Sequence, residues 1–232
     1  MTGTTKTRMD DVYRRLRFVI MSGGLSPGQR VVLSDLCQEY QVSLSVVREA
    51  ATRLAAQSLL RAETNRGFRV PELSIEDLKD LTSTRVEIET LCLRRAIELG
   101  DTAWEAEVVA AHHTLVRTAS ALDESPETVD LANTEAHGRF HAALAAGCQS
   151  PRLIEIRRTL FDSAELYRHW SLASSADDRD PPAEHRALME AALDRDVDAA
   201  IEQLTRHIRG TADWLISRRA EADGANLIAT VR

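Results

Sequence analysis

The sequence is poor in several features that mark particular classes of protein. Its 232 residues include only three cysteines, six prolines and 4% aromatic residues. No apolar run approaches roughly 18 residues and the first ten residues are polar, which argues against a membrane span and a secretory leader. Cys37, Cys92 and Cys148 are odd in number and far apart, so we expect neither a disulfide framework nor a thiolate zinc site. These absences favour a globular, cytoplasmic protein with no membrane partner.

Charge is distributed unevenly along the chain. Residues 1–70 contain 11 Lys and Arg against 6 Asp and Glu, a net charge of +5, whereas residues 71–232 contain 18 against 30, a net charge of −12. Phosphate binding needs local positive charge and does not need an overall excess. The basic first third is therefore a candidate for nucleic-acid binding, although charge alone is equally compatible with a chance imbalance.

The first 72 residues are predicted to form a winged helix-turn-helix domain. After an initial amphipathic helix, Ser34 is placed to cap a short helix over 35–40, and a tight break separates it from a second helix that ends near Gln57. Two apolar runs within 59–70 flank a polar segment and predict a small β-hairpin wing. This layout presents the start of the second helix to a major groove and the hairpin to a neighbouring groove.

Exposed polar residues of this domain are candidate DNA contacts. Hydroxyl groups and a helix N-terminus bind phosphates or base edges, and arginines bind both. We assign Arg48 as the reader of bases. The other candidates by position are Ser43, Ser45, Arg53, Arg66 and Arg69. Each could singly be an ordinary solvated residue on an amphipathic helix, but their placement on one motif favours DNA.

Residues 73–222 are predicted to form an antiparallel all-α bundle of about six helices, followed by a flexible tail over 223–232. Few prolines occur between residue 74 and Pro181, and alternating β-branched runs are missing. The predicted helices cover 74–99, 102–122, 126–146, 150–172, 180–194 and 197–220. The fold is therefore expected to be mainly α.

Four histidines of the bundle are placed to converge. His137 and His141 share one helical face, and His185 and His207 each lie 11 residues from Asp196, where the predicted hairpin turns. Imidazoles gathered inside a bundle suit a divalent metal, with zinc favoured and nickel or manganese as alternatives. For any one of them, an ordinary surface or core role is the simpler interpretation. The remaining histidines have no such partner and are predicted at the surface: His112, His113 and His169.

Three motifs resemble the N-terminal domain of GntR-family bacterial transcription regulators over roughly residues 8–72. They are Leu25-Ser26-Pro27-Gly28-Gln29-Arg30, Val42-Ser43 with Val47-Arg48-Glu49-Ala50, and Asn65-Arg66-Gly67-Phe68. The resemblance adds Arg30, Asn65 and Gly67 to the candidate DNA contacts. The family pattern after Val-Ser is Arg-Thr-Pro, whereas this chain has Leu44-Ser45-Val46. Leu44 therefore replaces an arginine that family members commonly place against DNA. For this reason the operator sequence of this chain cannot be inferred by analogy with the family.

The second domain resembles the FCD ligand-binding domain of the FadR-like branch. The resemblance is carried by the segments from His137 to Leu144, from Glu184 to Arg186, and Arg206-His207. It implies that an aspartate and three histidines hold a metal at the floor of an effector cavity. His137 occupies the aspartate position, which makes the site one unit more positive.

Arg85 and Glu89 match the arginine and glutamate of the first helix of this domain. The resemblance implies that Arg85 faces the cavity and binds a carboxylate effector, an interaction that the guanidinium geometry favours. The alternative is an ordinary helical pair four residues apart.

The leading functional hypothesis is a sequence-specific DNA-binding transcription regulator, in this family most often a repressor. It would bind operator DNA as a homodimer, because helix-turn-helix proteins match pseudo-palindromic sites, and a small carboxylate metabolite would control it. The alternative is a metal-dependent hydrolase or lyase, in which three histidines activate water. Against an enzyme, the sequence has no HExxH motif, and Glu184 is expected to point to another face of its helix than His185.

Overall fold

The computed structural model describes residues 8–64, 66–120, 126–171 and 180–229. The chain divides into two compact units. The first comprises the chain up to Leu78 together with a segment that begins at Asp162, and the second comprises Lys79–Phe161 and the C-terminal remainder. Among the described residues, none of the helices combines the length and apolar character that a membrane span requires.

The N-terminal part of the first unit is a winged helix-turn-helix. Its elements are α1 (Arg8–Met21), β1 (Arg30–Val31), α2 (Leu33–Tyr40), α3 (Leu44–Ala56), β2 (Arg61–Glu63) and β3 (Gly67–Arg69). The strands form an antiparallel sheet in the order β1-β3-β2, with Val31 and Ala62 both opposite Phe68. The predicted hairpin is confirmed. β1 was not predicted, because two residues are too few to show an alternating pattern.

The first helix of the helix-turn-helix begins at Leu33, two residues earlier than predicted. The residue that precedes α2 is Val32, so Ser34 lies inside the first turn and does not cap the helix. Its hydroxyl instead lies 3.2 Å from the Asp35 carboxylate. Gln41 ends α2 in the left-handed conformation, with φ of 53°, and reverses the chain toward Ser43, which precedes α3.

The core of the first unit includes a residue from far along the chain. Its buried apolar side chains include Leu16, Ile20, Leu54, Phe68 and Leu166. Near Leu166, the carboxylate of Asp162 accepts a hydrogen bond of 2.7 Å from the Arg17 guanidinium of α1. The segment from Asp162 is therefore part of the packing of this unit.

The bundle contains the six predicted helices. They are α4 (Ile75–Leu99), α5 (Thr102–Ser120), α6 (Pro126–Ala146), α7 (Pro151–Ser171), α8 (Pro181–Leu193) and α9 (Val197–Ala229). The mainly α fold class is confirmed. α9 continues to Ala229, beyond its predicted end near residue 220, and residues 230–232 of the predicted tail lie outside the described part. α7 belongs to both units, because the division falls between Phe161 and Asp162.

Small and aliphatic side chains, together with the aromatic rings of Trp104 and Phe140, fill the interior of the second unit. Its fully buried residues include Leu93, Ile97, Phe140 and Leu188. His112 also lies in this interior, with its ring centroid 5.5 Å from that of Phe140, so its predicted surface position is wrong. His113 is exposed as predicted, and the side chain of His169 lies outside the described residues.

Candidate metal centre and nucleic-acid interface

The four histidines that were predicted to bind a metal lie together inside the second unit. One nitrogen from each of His137, His141, His185 and His207 lies within 4.8 Å of the corresponding atom of the others. The two Nε2 atoms on α6 are 3.1 Å apart. Four nitrogens around a tetrahedral zinc, at about 2.0–2.1 Å from it, are separated by about 3.3 Å. The donor set therefore suits a divalent metal if the nitrogens, which are up to 4.8 Å apart, approach one another by as much as about 1.5 Å.

Local structure explains this convergence. Residues four apart on α6 project from one face, so His137 and His141 present both rings to the same space. α8 and α9 form a tight antiparallel hairpin, in which Asp196 accepts a hydrogen bond of 3.0 Å from the amide of Ala199 at the start of α9. This register places His185 and His207 at one level, with ring centroids 4.6 Å apart.

Burial keeps the central imidazole neutral. His141 is 3% exposed. Its burial lowers its pKa well below the usual value of a histidine, and repulsion from the neighbouring imidazoles and from Arg157 lowers this pKa further. A neutral imidazole retains the nitrogen lone pair that binds a metal. The environment therefore favours the protonation state required of a metal ligand.

The carboxylate of Glu184 contacts the histidine cluster at His207. Oε2 of Glu184 lies 2.7 Å from Nδ1 of His207. With Nδ1 donating to this carboxylate, Nε2 of His207 is left with its lone pair for a metal. Glu184 was expected to lie on another face of α8 than His185, but the side chains of both residues contact His207 of α9. Only the tertiary packing of α8 on α9 reveals this contact.

A buried cluster of two arginines and one glutamate lies beside the histidines. Nε of Arg85 is 2.8 Å from Oε1 of Glu89, and Nε of Arg157 is 3.3 Å from Oε2. Burial by itself raises the pKa of Glu89, but the two guanidinium groups outweigh it and hold this pKa below its usual value. The cluster therefore contains two cations and one anion, a net charge of +1.

Phe161 connects the arginines to the histidines. The guanidinium carbons of Arg85 and Arg157 lie 5.4 and 4.7 Å from its ring centroid. The rings of His137 and His141 lie 5.6 and 5.5 Å from the same centroid. The cationic groups and the imidazoles thus share one aromatic wall. Sequence reasoning nominated Arg85 but missed Arg157 and Phe161, which α7 brings in from another part of the chain.

The predicted DNA contacts lie mainly on the surface of the first unit. The exposed candidates are Arg30, Ser43, Ser45, Arg48, Arg53, Arg66 and Gly67. Gly67 has φ of 89°, a conformation that favours glycine at the tip of the wing. Asn65 lies outside the described residues.

Two of the predicted phosphate contacts are engaged within the protein. The Arg53 guanidinium forms an ion pair of 3.2 Å with Asp10 and lies 4.2 Å from the ring centroid of Tyr13. Arg69 pairs with Glu63 at 3.0 Å. These contacts support the domain itself, and a role of either arginine at DNA remains a prediction.

Two family models match the chain at these two regions. The model of bacterial regulatory proteins, gntR family, matches residues 8–70, and the model of the FCD domain matches residues 80–210. The chain belongs to the GntR family. Its combination of a GntR helix-turn-helix domain with an FCD domain is that of FadR-like regulators, and the resemblance found in its motifs is confirmed.

Relatives and solved structures agree with this assignment. The regulator is 35% identical to an uncharacterized HTH-type transcriptional regulator, BphR of Paraburkholderia xenovorans, over 89% of this chain and 84% of the relative. It is 33% identical to the HTH-type transcriptional repressor GlaR of Escherichia coli, over 85% and 91% of the two chains. The solved structure of E. coli McbR/YncC superimposes over 92% of this chain and 99% of the McbR/YncC chain, with a TM-score of 0.76 at 21% identity. That structural likeness shows the fold.

Acid is expected to destabilise the metal-free regulator through His141. Its folded pKa lies well below the unfolded value of about 6.5, so unfolding takes up a proton as the pH falls. The free energy of unfolding is therefore unaffected by protonation of His141 above pH ~6.5. Below that pH it decreases by at most about 1.4 kcal/mol per pH unit. Thermal unfolding in chelator should show a smaller loss between about pH 7.5 and 5.5 in His141→Gln than in the wild type. Equal losses in both proteins would contradict this account.

Proposed function

We propose that this GntR regulator is a repressor that binds operator DNA as a homodimer in the cytoplasm and is controlled by a small carboxylate metabolite. The metabolite would bind at a divalent metal, with zinc favoured over nickel or manganese, held by His137, His141, His185 and His207. The observation that carries this proposal is the convergence of four imidazole nitrogens within 4.8 Å. Such a donor set suits a borderline divalent metal.

The charge beside the histidines supports a carboxylate as the ligand. The cluster of Arg85, Arg157 and Glu89 has a net charge of +1. A bound divalent metal would add two further positive charges. Nη2 of Arg157 is buried and has no hydrogen-bond partner among the described residues. A buried donor without an acceptor is costly, so an anionic oxygen placed there would be stabilised. We therefore assign Arg157, together with Arg85, to the ligand site.

The side chains around the cluster have separable roles in this proposal. The histidines hold the metal, which supplies a positive centre for a ligand oxygen. Glu184 fixes the ring of His207, and Phe161 closes one wall and limits access of water. A ligand changes DNA affinity only if it prefers one arrangement of the protein over another. α7 offers a physical connection for that preference, because Phe161 contacts the histidines while Asp162, the next residue, binds Arg17 of α1.

Replacing Glu184 by glutamine is expected to weaken metal binding without removing it. Glutamine keeps the shape of the side chain but loses the charge that holds Nδ1–H of His207. Loss of such an outer partner typically lowers metal affinity by about 10- to 100-fold. Competition with a chromophoric chelator measures the change, and Glu190→Gln on the same helix is the matched control. An unchanged affinity in Glu184→Gln would rule out this role.

The metalloenzyme alternative has weaker support. In the described site, the carboxylate of Glu184 is the candidate for a general base, and it is already paired with His207. A base engaged in this way orients a ligand and is poorly placed to accept a proton from water. We therefore propose that the chain is not an enzyme.

Metal content and DNA retention together test the proposed function. The purified protein should contain about one divalent metal per chain, and it should bind DNA from upstream of its own gene more tightly than a scrambled fragment. This binding should weaken steeply as salt increases, because phosphate contacts release counterions. Metal without sequence-specific binding at any salt concentration would overturn the regulator and favour the enzyme.

A further inference from the structure

An exposed apolar side chain occupies the start of the recognition helix. Leu44 is the first residue of α3, and it is 47% exposed. Ser43 and Ser45 beside it are exposed too, and their hydroxyl groups bond to each other at 2.9 Å. In a helix-turn-helix protein, the N-terminal residues of the second helix are those that meet the edges of the bases. Leu44 therefore occupies a position that contacts base edges in helix-turn-helix proteins.

The face that Leu44 occupies is the outer one. The buried residues of α3 are Val47, Ala50, Ala51 and Leu54, which pack into the core of the first unit. Arg48 follows Leu44 by four residues, so the two side chains lie one above the other, and Arg48 is exposed. An apolar group and a cation thus lie together on the exposed surface of α3.

We infer that Leu44 recognises the methyl group of a thymine in each half of the operator. This inference rests on the proposed function of DNA binding. A leucine side chain has no hydrogen-bonding group and no charge, so it selects neither a polar base edge nor a phosphate. The thymine C5-methyl is the apolar feature of the major groove, and side chains of this kind contact it. Leu44 thereby gives this chain a thymine requirement at one position of each half-site.

The test removes the methyl group from the DNA and the side chain from the protein. The preferred operator is first selected from random sequences with the wild-type protein, and each thymine is then replaced by deoxyuridine, which still pairs with adenine. Burial of one methyl group contributes about fourfold in affinity. We expect one symmetric pair of thymines whose replacement weakens wild-type binding about tenfold or more, measured by fluorescence anisotropy.

Leu44→Ala should remove that sensitivity at the same pair of positions and at no other. The variant should keep the thermal unfolding midpoint of the wild type, because the replaced side chain is exposed. Val32→Ala is the matched control, since Val32 is 46% exposed and lies outside α3. It should keep the wild-type response to deoxyuridine. Leu44→Arg should select a guanine where the wild-type protein selects thymine, because arginine binds the guanine edge.

Two outcomes would overturn the inference, and they differ from each other. If the wild type binds its operator specifically but Leu44→Ala responds to deoxyuridine as the wild type does, Leu44 does not read a methyl group, while the proposed function stands. If the wild type selects no sequence at any salt concentration, the proposed function fails and this inference fails with it.

Discussion

Replacing His141 by alanine is expected to abolish stoichiometric metal binding. His141 is among the most buried of the four histidines, and its Nε2 lies 3.1 Å from that of His137. Its loss would remove one of the four proposed ligands and open the site to water. Because loss of even an outer partner costs about 10- to 100-fold in affinity, we expect loss of a ligand to exceed 100-fold. Elemental analysis after dialysis would show about one metal per chain in the wild type and almost none in the variant.

His113→Ala provides the control for this result. His113 is exposed on α5 and lies outside the cluster, so its replacement should leave the metal content unchanged. The wild-type protein should also unfold at a lower temperature after chelation, because a metal that binds only the folded state stabilises it. A variant at His141 that retains its full metal content would contradict the assignment of the site.

Replacing Glu89 by glutamine is expected to destabilise the second unit severely. Glu89 is 4% exposed, and its two oxygens bind two guanidinium groups, those of Arg85 and Arg157. The substitution leaves two buried cations without their shared anion. Breaking a buried ion pair in this way costs about 3–5 kcal/mol. For a chain of this length each kcal/mol shifts the midpoint of thermal unfolding by about 2–4 °C, so we expect a loss of roughly 6–20 °C.

Glu155→Gln removes the same charge from an exposed ion pair. Glu155 binds Arg158 at 2.7 Å on the outside of α7, where both side chains are more than 40% exposed. Exposed pairs contribute about 0–1 kcal/mol, so the midpoint should change by no more than a few degrees. Equal effects of Glu89→Gln and Glu155→Gln would show that burial of the Glu89 cluster does not govern its contribution.

The sequence predicted the parts of the site that depend on local periodicity. The spacing of His137 and His141 follows from the helical repeat, and the levels of His185 and His207 follow from a hairpin that turns near Asp196. The pair of Arg85 and Glu89 was likewise visible as residues four apart. In each case one helix, or two joined by a short turn, determines the neighbours.

The parts that the sequence did not reveal depend on packing between distant segments. From α7, Arg157 contacts Glu89 of α4 and Phe161 contacts His137 of α6, and no sequence spacing encodes these contacts. Glu184 was expected to point to another face of its helix than His185, but its carboxylate contacts His207 on α9. The start of α2 was misplaced at Ser34, because a serine before an apolar pattern indicates a cap without requiring one.

The most direct test of the central claim is the release of operator DNA by carboxylic acids. Fluorescence anisotropy would follow the complex with the DNA upstream of its own gene while a panel of small acids is added to metal-loaded protein, chelated protein and His141→Ala. The account predicts that one acid releases the DNA from the metal-loaded wild type, and that the release disappears after chelation and in His141→Ala. Release by the same acid at the same concentration from all three proteins would contradict a metal-dependent sensor.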